Sequence, residues 1–297
     1  MYHAKALCGL FGVSKQAYYQ YQDHGLENAA KVQFVLEYVH EIREKDPGIG
    51  GEKLWVMYKS YFGVEYSLGR DSFCRILCVY GLTIRKRRKR IRTTDSNHPY
   101  LLYPNQIQDL IVEHPNQVWV SDITYIRIRE KFCFLSLITD AYDKEIVGYY
   151  VAPTLQTEFT IRALQQALSR IEEADRLDLI HHSDRGVQYA SDSYTRLLKE
   201  NHIRISMTEK GDPKENAIAE RVNGILKHEF LEYHDFKDIE EVRTAIAEAV
   251  EFYNTQRPHK SLDMMTPMEA SLMNGPIKKR WRSYREEYLQ NNLPVHI

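Results

Sequence analysis

The sequence predicts an α/β domain that follows a helical module, and two observations carry this prediction. Before about residue 114, apolar residues recur at three- and four-residue steps between glycine-rich breaks, a pattern typical of short amphipathic helices. From there on, three successive strand-like runs are followed by helical and strand-like segments in alternation. We therefore expect a mixed sheet with flanking helices in the second part of the chain.

Residues 1–27 outline a helix-turn-helix-like segment. Within it, residues 4–21 read as two short helices around Gly12 and Val13, with Ser14 as the cap of the second helix. A plain helical hairpin would give the same pattern, so contact between this segment and DNA stays open.

Residues 28–95 are interpreted as a helical DNA-binding module that ends in a basic run. Helices are predicted over residues 28–45, 52–62 and 69–80, with glycine-containing breaks between them. Seven of the eight positions in residues 85–92 are basic. Such a run is either a solvated surface or a contact for several DNA phosphates, which would release their counterions. We favour DNA contact, through Arg85, Lys86, Arg87, Arg88, Lys89 and Arg90.

Residues 96–113 read as a linker, residues 114–272 as the α/β core with its C-terminal helices, and residues 273–297 as a basic tail. The element order in the core is βββαβαβα, which is that of a ribonuclease-H-like fold, although the pattern alone does not fix the strand order. Strands are predicted over residues 117–128, 132–138, 145–151, 177–182 and 203–207, and helices over 156–173, 191–202, 214–230 and 238–255. The helix over 238–255 is expected to begin with a capping box of Asp238 and Glu241, and a last helix is capped by Thr266.

Charge and cysteine usage limit the classes of protein that fit. The net charge of −1 alone would argue against a nucleic-acid partner, but residues 1–110 hold 16 Lys and Arg against 11 Asp and Glu, so this part carries +5 and the remainder −6. The four cysteines lie in apolar contexts, and only Cys74 and Cys78 are close together, without a histidine pair that would complete a zinc site. This usage predicts buried free thiols and a cytoplasmic protein. No apolar run approaches the roughly 20 residues of a membrane span.

Three acidic residues stand in settings that metal-dependent phosphodiester chemistry requires. Asp122 lies inside an apolar run, Asp184 follows a predicted strand, and Glu220 lies on a predicted helix. Carboxylates brought together repel one another unless a cation lies between them, and Mg²⁺ prefers oxygen ligands. The sequence predicts that these acids hold two Mg²⁺ ions roughly 3.5–4 Å apart, for which Mn²⁺ can substitute. Asp122 is expected to bridge the ions, while the other two acids each hold one.

Other titratable residues near the three acids have simpler explanations. Asp140 and Asp143 compete as metal ligands, but turn chemistry accounts for both. His181 and His182 do not form a metal-binding pair, because adjacent residues on a strand face opposite sides. His182 is expected to orient the loop around Asp184.

Three sequence motifs give the chain a family resemblance, and 35 residues separate Asp184 from Glu220. The motifs are Trp119-Val120-Ser121-Asp122-Ile123-Thr124-Tyr125, His182-Ser183-Asp184-Arg185-Gly186-Val187-Gln188-Tyr189 and Tyr253-Asn254-Thr255-Gln256-Arg257-Pro258-His259. Together they resemble the DDE transposases and retroviral-integrase catalytic cores, and above all the second-frame (OrfB) transposase of the IS3 family of insertion sequences. The resemblance covers about residues 30–272.

This resemblance implies a ribonuclease-H-like core with a mixed five-stranded sheet, preceded by a helix-turn-helix module. It also implies a magnesium-dependent DNA transposase that nicks the donor strand and transfers its 3′-OH to target DNA. The implied partners are double-stranded DNA, as transposon ends and target, and a first-frame OrfA protein joined to this chain by frameshifting. We further expect a homo-oligomer on DNA and no membrane partner.

The resemblance also supplies candidates for DNA contact. Lys227, seven residues after Glu220, is expected to bind a phosphate beside the metals, although an exposed helix lysine would have the same spacing. Asn216 is expected to steady the Glu220 carboxylate or to touch DNA. Arg257 is expected to point at DNA while its neighbours pack the C-terminal helix on the core. Glu215 departs from the family pattern, which has aspartate at this position.

Two other functions fit parts of the sequence. A catalytically silent, transposon-derived DNA-binding protein would keep the basic run, but it has no need of all three acids. A ribonuclease-H-type nuclease would keep the acids, but it does not explain the basic run, the helical module or the third motif.

Overall fold

The computed structural model describes residues 14–84, 99–209, 213–278 and 280. The chain divides into two compact units, of which the first holds Met1–Glu44 and Gly50–Ile84, and the second holds Lys45–Ile49 and Arg85–Ile297. The first helix of the predicted helix-turn-helix-like segment, the basic run and nearly all of the basic tail lie outside the described residues. Among the described helices, none has the length and apolar character needed to cross a bilayer.

The first unit is built from three helices: α1 (Lys15–Lys45), α2 (Gly51–Tyr66) and α3 (Arg70–Val79). The predicted limit between residues 27 and 28 falls inside α1, which is continuous over 31 residues. One interior glycine costs a helix only about 1 kcal/mol relative to alanine, so Gly25 does not end α1.

Aromatic rings fill much of the core of the first unit. Tyr38 of α1 and Tyr58 of α2 meet edge to face with their centroids 5.5 Å apart, and Tyr58 lies 5.1 Å from Phe73 of α3. Gly63 has a φ of 74° inside α2. The predicted break at this glycine is therefore a kink, which a residue with a Cβ would adopt only under strain.

The second unit contains the predicted mixed five-stranded sheet. Its strands are β1 (Val118–Ile128), β2 (Lys131–Asp140), β3 (Ile146–Ala152), β4 (Ile180–Ser183) and β5 (Arg204–Met207), in the order β3-β2-β1-β4-β5. The first three strands form an antiparallel meander, and β4 and β5 add parallel to β1. This topology confirms the ribonuclease-H-like fold and puts β1 at the centre.

Helices cover both faces of the sheet, because β1 presents apolar side chains to each face. Trp119 packs with residues of α4 (Thr157–Leu168) and α6 (Asp192–Glu200), whereas Val118 and Val120 pack with α7 (Ala217–Ile225) on the other face. The remaining helices are α5 (Val187–Ala190), α8 (Ile239–Thr255) and α9 (Pro267–Ser271).

Two helix predictions differ in length from the structure. α4 ends at Leu168, five residues before its predicted end. The helix predicted over residues 214–230 is divided into a 3₁₀ turn (Pro213–Asn216), α7, and a π-helical segment (Leu226–Phe230). Hydrophobic periodicity over so few residues does not distinguish these helix types, because the spacing of their hydrogen bonds differs by only one residue from one type to the next.

The helix caps predicted at Asp238 and Thr266 are present. Asp238 accepts from the amides of Glu240 and Glu241 at 2.9 and 3.0 Å, and Thr266 and Glu269 form a complete capping box. The Glu241 carboxylate reaches the amide of Lys237, one residue before the expected partner.

Candidate active site

The sheet register brings Asp122 and Asp184 side by side. β1 and β4 run parallel, and their last paired residues are Ser121 and Ser183. Asp122 and Asp184 each lie one step further along these neighbouring strands, whose spacing in a sheet is about 4.8 Å. Asp184 is only 8% exposed. Two carboxylates on different motifs thus become neighbours through a backbone pairing.

Glu220 approaches from the helical layer. It lies in the first turn of α7, whose Ala219 packs in the same apolar cluster as Val120 of β1. Burial raises the pKa of Asp122 to about 7, and the charges of Asp184 and, more weakly, of Glu220 act in the same direction. The three predicted acids therefore repel one another at a common site.

The chemistry of this donor set fits magnesium. All three side chains offer oxygen ligands, and the repulsion that raises the pKa of Asp122 is what a cation between them would remove. Within the described parts of the chain, however, no group of three or more His, Cys, Asp or Glu side chains is arranged so that it could hold a metal ion. The identity of the metal ligands stays a prediction.

Asn223, which the sequence motifs did not single out, holds Asp122. Its Nδ2 donates to Asp122 Oδ2 at 2.8 Å, a bond that counteracts the rise in the Asp122 pKa. Asn223 follows Glu220 by three residues, so both lie on one face of α7. That spacing was the signal in the sequence that could have identified it.

Asn216 is an anchor for β1. It is 3% exposed at the N-cap of α7, and its Nδ2 donates to the carbonyl oxygen of Ser121 at 2.9 Å. Its side chain is enclosed by protein in this structure, and its predicted contact with DNA stays a prediction. Its bond fixes the β1 backbone immediately before Asp122.

The loop after β4 is shaped around the Asp184 carboxylate. The amide of Gly186 donates to Asp184 Oδ1 at 3.0 Å. A Cβ at Gly186 would lie only 3.0 Å from the same oxygen, although the φ of −64° is open to any residue. The glycine therefore leaves room for the carboxylate. Arg185 Nε donates to the carbonyl oxygen of Thr208 and holds the loop against the residue that follows β5.

His181 and His182 are neutral, buried residues with separate partners. His181 Nε2 lies 2.7 Å from the Ser121 hydroxyl and 2.9 Å from that of Tyr194, and burial lowers the His181 pKa to about 3. His182 Nδ1 lies 2.8 Å from the Ser206 hydroxyl, and burial lowers its pKa to about 4. The two rings do not share a ligand, as the alternation of a strand predicts.

Lys227 lies in the π-helical segment after α7, seven residues after Glu220. Its Nζ is 3.9 Å from the centroid of the Tyr125 ring, on β1. Its predicted phosphate contact is untested. The aromatic contact is a second role for this lysine that its spacing from Glu220 did not predict.

Arg257 is buried inside the second unit. Arg257 is 1% exposed, and its guanidinium forms paired hydrogen bonds of 2.8–2.9 Å with the Glu229 carboxylate. The guanidinium also lies 2.9 Å from His259 Nε2 and 3.9 Å from the Asp46 carboxylate. Its guanidinium is surrounded by protein groups in this structure, and the predicted contact of Arg257 with DNA stays a prediction. The third motif packs the chain after α8 onto the π-helical segment.

Asp140 and Asp143 belong to the turn between β2 and β3. Asp140 accepts from the amides of Asn116 and Tyr142 at 2.6 and 2.7 Å, and Asp143 accepts from Glu145 at 2.8 Å. Burial raises the pKa of both aspartates. Turn chemistry thus explains them, as the sequence predicts.

Two family models match the second unit. Both are described as an integrase core domain, and they match residues 112–213 and 201–267.

Curated relatives extend the likeness over most of the chain. An insertion element IS600 uncharacterized 31 kDa protein of Shigella sonnei is 33% identical over 88% of this chain and 96% of its own length. A putative transposase for insertion sequence element IS986/IS6110 of Mycobacterium tuberculosis is 32% identical over 78% of this chain and 85% of its own length. A transposase for insertion sequence element IS629 of Shigella sonnei is 29% identical over 91% of both chains.

Among solved structures, the HTLV-2 integrase catalytic core domain in complex with magnesium is 19% identical, with a TM-score of 0.41 over 53% of this chain and 97% of that chain. A simian T-cell lymphotropic virus intasome in complex with PP2A regulatory subunit B56 gamma is 18% identical, with a TM-score of 0.47 over 82% of this chain and 78% of that chain.

The sheet topology, the acidic site and the matched family models define a polynucleotidyl transferase with an integrase-type core. Within that class, the relatives that are more than 30% identical over most of their own length decide the family. The chain belongs to the IS3 family of insertion-sequence transposases.

Proposed function

We propose that this protein is a DNA transposase that nicks the donor strand of an insertion sequence and transfers the exposed 3′-OH to target DNA. The observation that supports the proposal is the pairing of β1 with β4, which makes Asp122 and Asp184 neighbours, while the charge of Glu220 also acts on Asp122. Three like charges at one partly buried place are costly for folding, so their presence there favours a catalytic role.

In this proposal, Asp122, Asp184 and Glu220 hold divalent magnesium, for which manganese can substitute. The bound metal would supply positive charge to the oxygens that enter and leave the phosphorus. Asn223 orients the Asp122 carboxylate, Gly186 orients that of Asp184, and the Asn216 bond keeps β1 from shifting. Lys227 is the candidate for the phosphate beside the acids.

The partners follow from the same proposal. The substrates are double-stranded transposon ends and target DNA, gripped by the helical first unit and the basic residues 85–90. Joining two ends to one target requires two active sites, so the chain is expected to act as a homo-oligomer on DNA. A first-frame OrfA protein, fused by frameshifting, remains part of the proposal.

The two rival functions are less well supported by the arrangement of the acids. A silent DNA-binding protein does not need three like charges beside one another. Replacement of any of these acids by a neutral residue would leave its DNA binding intact. A ribonuclease-H-type nuclease would cut DNA–RNA hybrids, and it would have no strand-transfer product.

The test uses a labelled transposon end with Mg²⁺ and measures nicking and strand transfer. Asp122→Asn, Asp184→Asn and Glu220→Gln should each lower both rates by about 10³-fold or more, since each removes charge from the site. DNA affinity should be retained. Glu200→Gln, an exposed acid at the end of α6, is the matched control and should cut normally.

Normal cutting by any of the three acid variants would overturn the assignment. A wild-type chain that cuts only the RNA strand of a hybrid would instead support the nuclease.

A further inference from the structure

The β1–β2 hairpin ends in an exposed pair of aromatic rings. Tyr125 and Phe132 are 45% and 51% exposed, and their rings meet edge to face with centroids 5.4 Å apart. The buried packing of this hairpin is supplied by Ile126 and Cys133, which are 4% and 1% exposed. Both rings therefore present apolar faces to solvent without being needed to close the core.

Cations surround this aromatic pair. Lys227 Nζ lies 3.9 Å from the Tyr125 centroid, and Arg127, Arg129 and Lys131 are exposed at the hairpin tip. Arg127 Nε donates to the Arg129 carbonyl oxygen at 2.7 Å, and Arg129 has a φ of 49°, so the tip has a defined shape. One acidic residue opposes three basic ones over residues 125–132. The surface is positive within a part of the chain that is negative overall.

This aromatic and basic surface borders the acidic site along one edge of β1. β4 pairs with β1 only from Val118 to Ser121, so the stretch from Asp122 onward is not covered by β4. Asp122 and Tyr125 are three residues apart, about 10 Å at roughly 3.3 Å per residue, on opposite faces of the strand. Lys227 reaches the Tyr125 ring from the segment that follows α7 and so connects the two faces.

We propose that Tyr125, Phe132 and Lys227 form a stacking site for an unpaired nucleobase of the DNA strand held at the acids. Every base has a π-face, so stacking on an aromatic ring tolerates any sequence, while cations hold the flanking phosphates. The site would keep the end of the strand apart from its complement. This inference rests on the proposed function.

The test measures binding without cleavage, using the full chain in the presence of a chelator. A short single-stranded oligonucleotide and its duplex are compared by fluorescence anisotropy. The Tyr125→Ala Phe132→Ala double variant should lose affinity for the single strand by on the order of tenfold, and much less for the duplex. The single variant Tyr125→Phe keeps the ring and should retain most of the wild-type affinity for the single strand. Tyr233→Ala removes a ring that is 47% exposed elsewhere and serves as the matched control.

A second measurement locates the base. A single-stranded oligonucleotide containing 5-iododeoxyuridine is photo-crosslinked to the wild-type chain, and the modified peptides should contain Tyr125 or Phe132. Crosslinks that map only elsewhere, or unchanged single-strand affinity of the folded double variant, would overturn the stacking site. A change in oligomer mass without a change in single-strand affinity would also overturn it and assign the surface to a protein contact.

The two proposals fail in different ways. Crosslinks at the hairpin together with no nicking of any DNA would leave the stacking site standing and remove the proposed chemistry. Normal nicking together with unchanged single-strand binding by the double variant would support the proposed chemistry and remove the stacking site.

Discussion

Two buried charged clusters in the second unit are built on opposite principles. Around Arg257, a 1% exposed guanidinium is paired with the Glu229 carboxylate at 2.8–2.9 Å, so charges of opposite sign neutralise one another. Around Asp122, the nearest charges belong to Asp184 and Glu220 and have the same sign. Burial of a charge therefore does not by itself mark a functional site. The sign of its neighbours separates a structural cluster from a site that is prepared for a ligand.

The largest expected effect tests the neutralised cluster. Arg257→Ala leaves Glu229 without its guanidinium in the interior, so the free energy of unfolding should fall by about 3–5 kcal/mol. Denaturant unfolding measures this change, and Arg257→Lys should restore only part of it, since a lysine cannot form the paired bonds with the carboxylate. If Arg257→Ala were as stable as wild type and weaker only in binding DNA, the structural role of Arg257 would be wrong.

The next effect concerns a buried carboxylate outside both clusters. Asp140→Ala leaves the amides of Asn116 and Tyr142 without their acceptor, which should cost about 2–4 kcal/mol of stability. Asp140→Asn keeps one acceptor oxygen and should lose less. Both variants should retain nicking activity per folded molecule. Loss of nicking by a stable, folded Asp140→Asn protein would move this residue into the active site.

The smallest expected effect is an increase in the free energy of unfolding, and it concerns Asp122. Its folded pKa of about 7 lies above the ordinary aspartate value, so the folded state binds more protons between about pH 4 and pH 7. The stability that this group contributes is present below about pH 4 and is lost as the pH rises through 7. Asp122→Asn should therefore be more stable than wild type at pH 8 in chelator, by on the order of 1 kcal/mol.

The measurement is urea unfolding of both chains from pH 5 to pH 8, without divalent metal. The gap between them should widen as the pH rises. A gap that stays constant or narrows would show that the pKa of Asp122 is not raised in the folded state by burial and by its acidic neighbours.

Much of the second unit could be predicted because its signals are local. Alternating and continuous apolar runs predict the strands, and the Asp238 and Thr266 caps predict the starts of two helices. The strand order is a long-range property that came from the family resemblance. The break expected near residue 27 does not exist, because one glycine is too weak a signal to interrupt a 31-residue helix.

At the site, charged residues are easier to recognise in the sequence than the side chains that contact them. The three acids stand out because a carboxylate is costly in an apolar context. Asn223 escaped notice because a helix asparagine is unremarkable until the carboxylate opposite it is known. Arg257 was assigned to DNA because its buried partner, Glu229, is 28 positions earlier in the sequence. Whether a cation faces solvent or a carboxylate is decided by such distant pairings.

The five-residue segment Lys45–Ile49 belongs to the second unit, although the residues on either side of it belong to the first. The Gly48 amide donates to the Glu229 carbonyl oxygen at 2.7 Å, and a Cβ at Gly48 would lie 2.5 Å from the Glu229 Cα. A recombinant fragment that begins near residue 99 would lack this segment, although it would contain all three acids and every strand. It would expose part of the Arg257 cluster to water, so a self-sufficient piece of the second unit is expected to need residues 45–49.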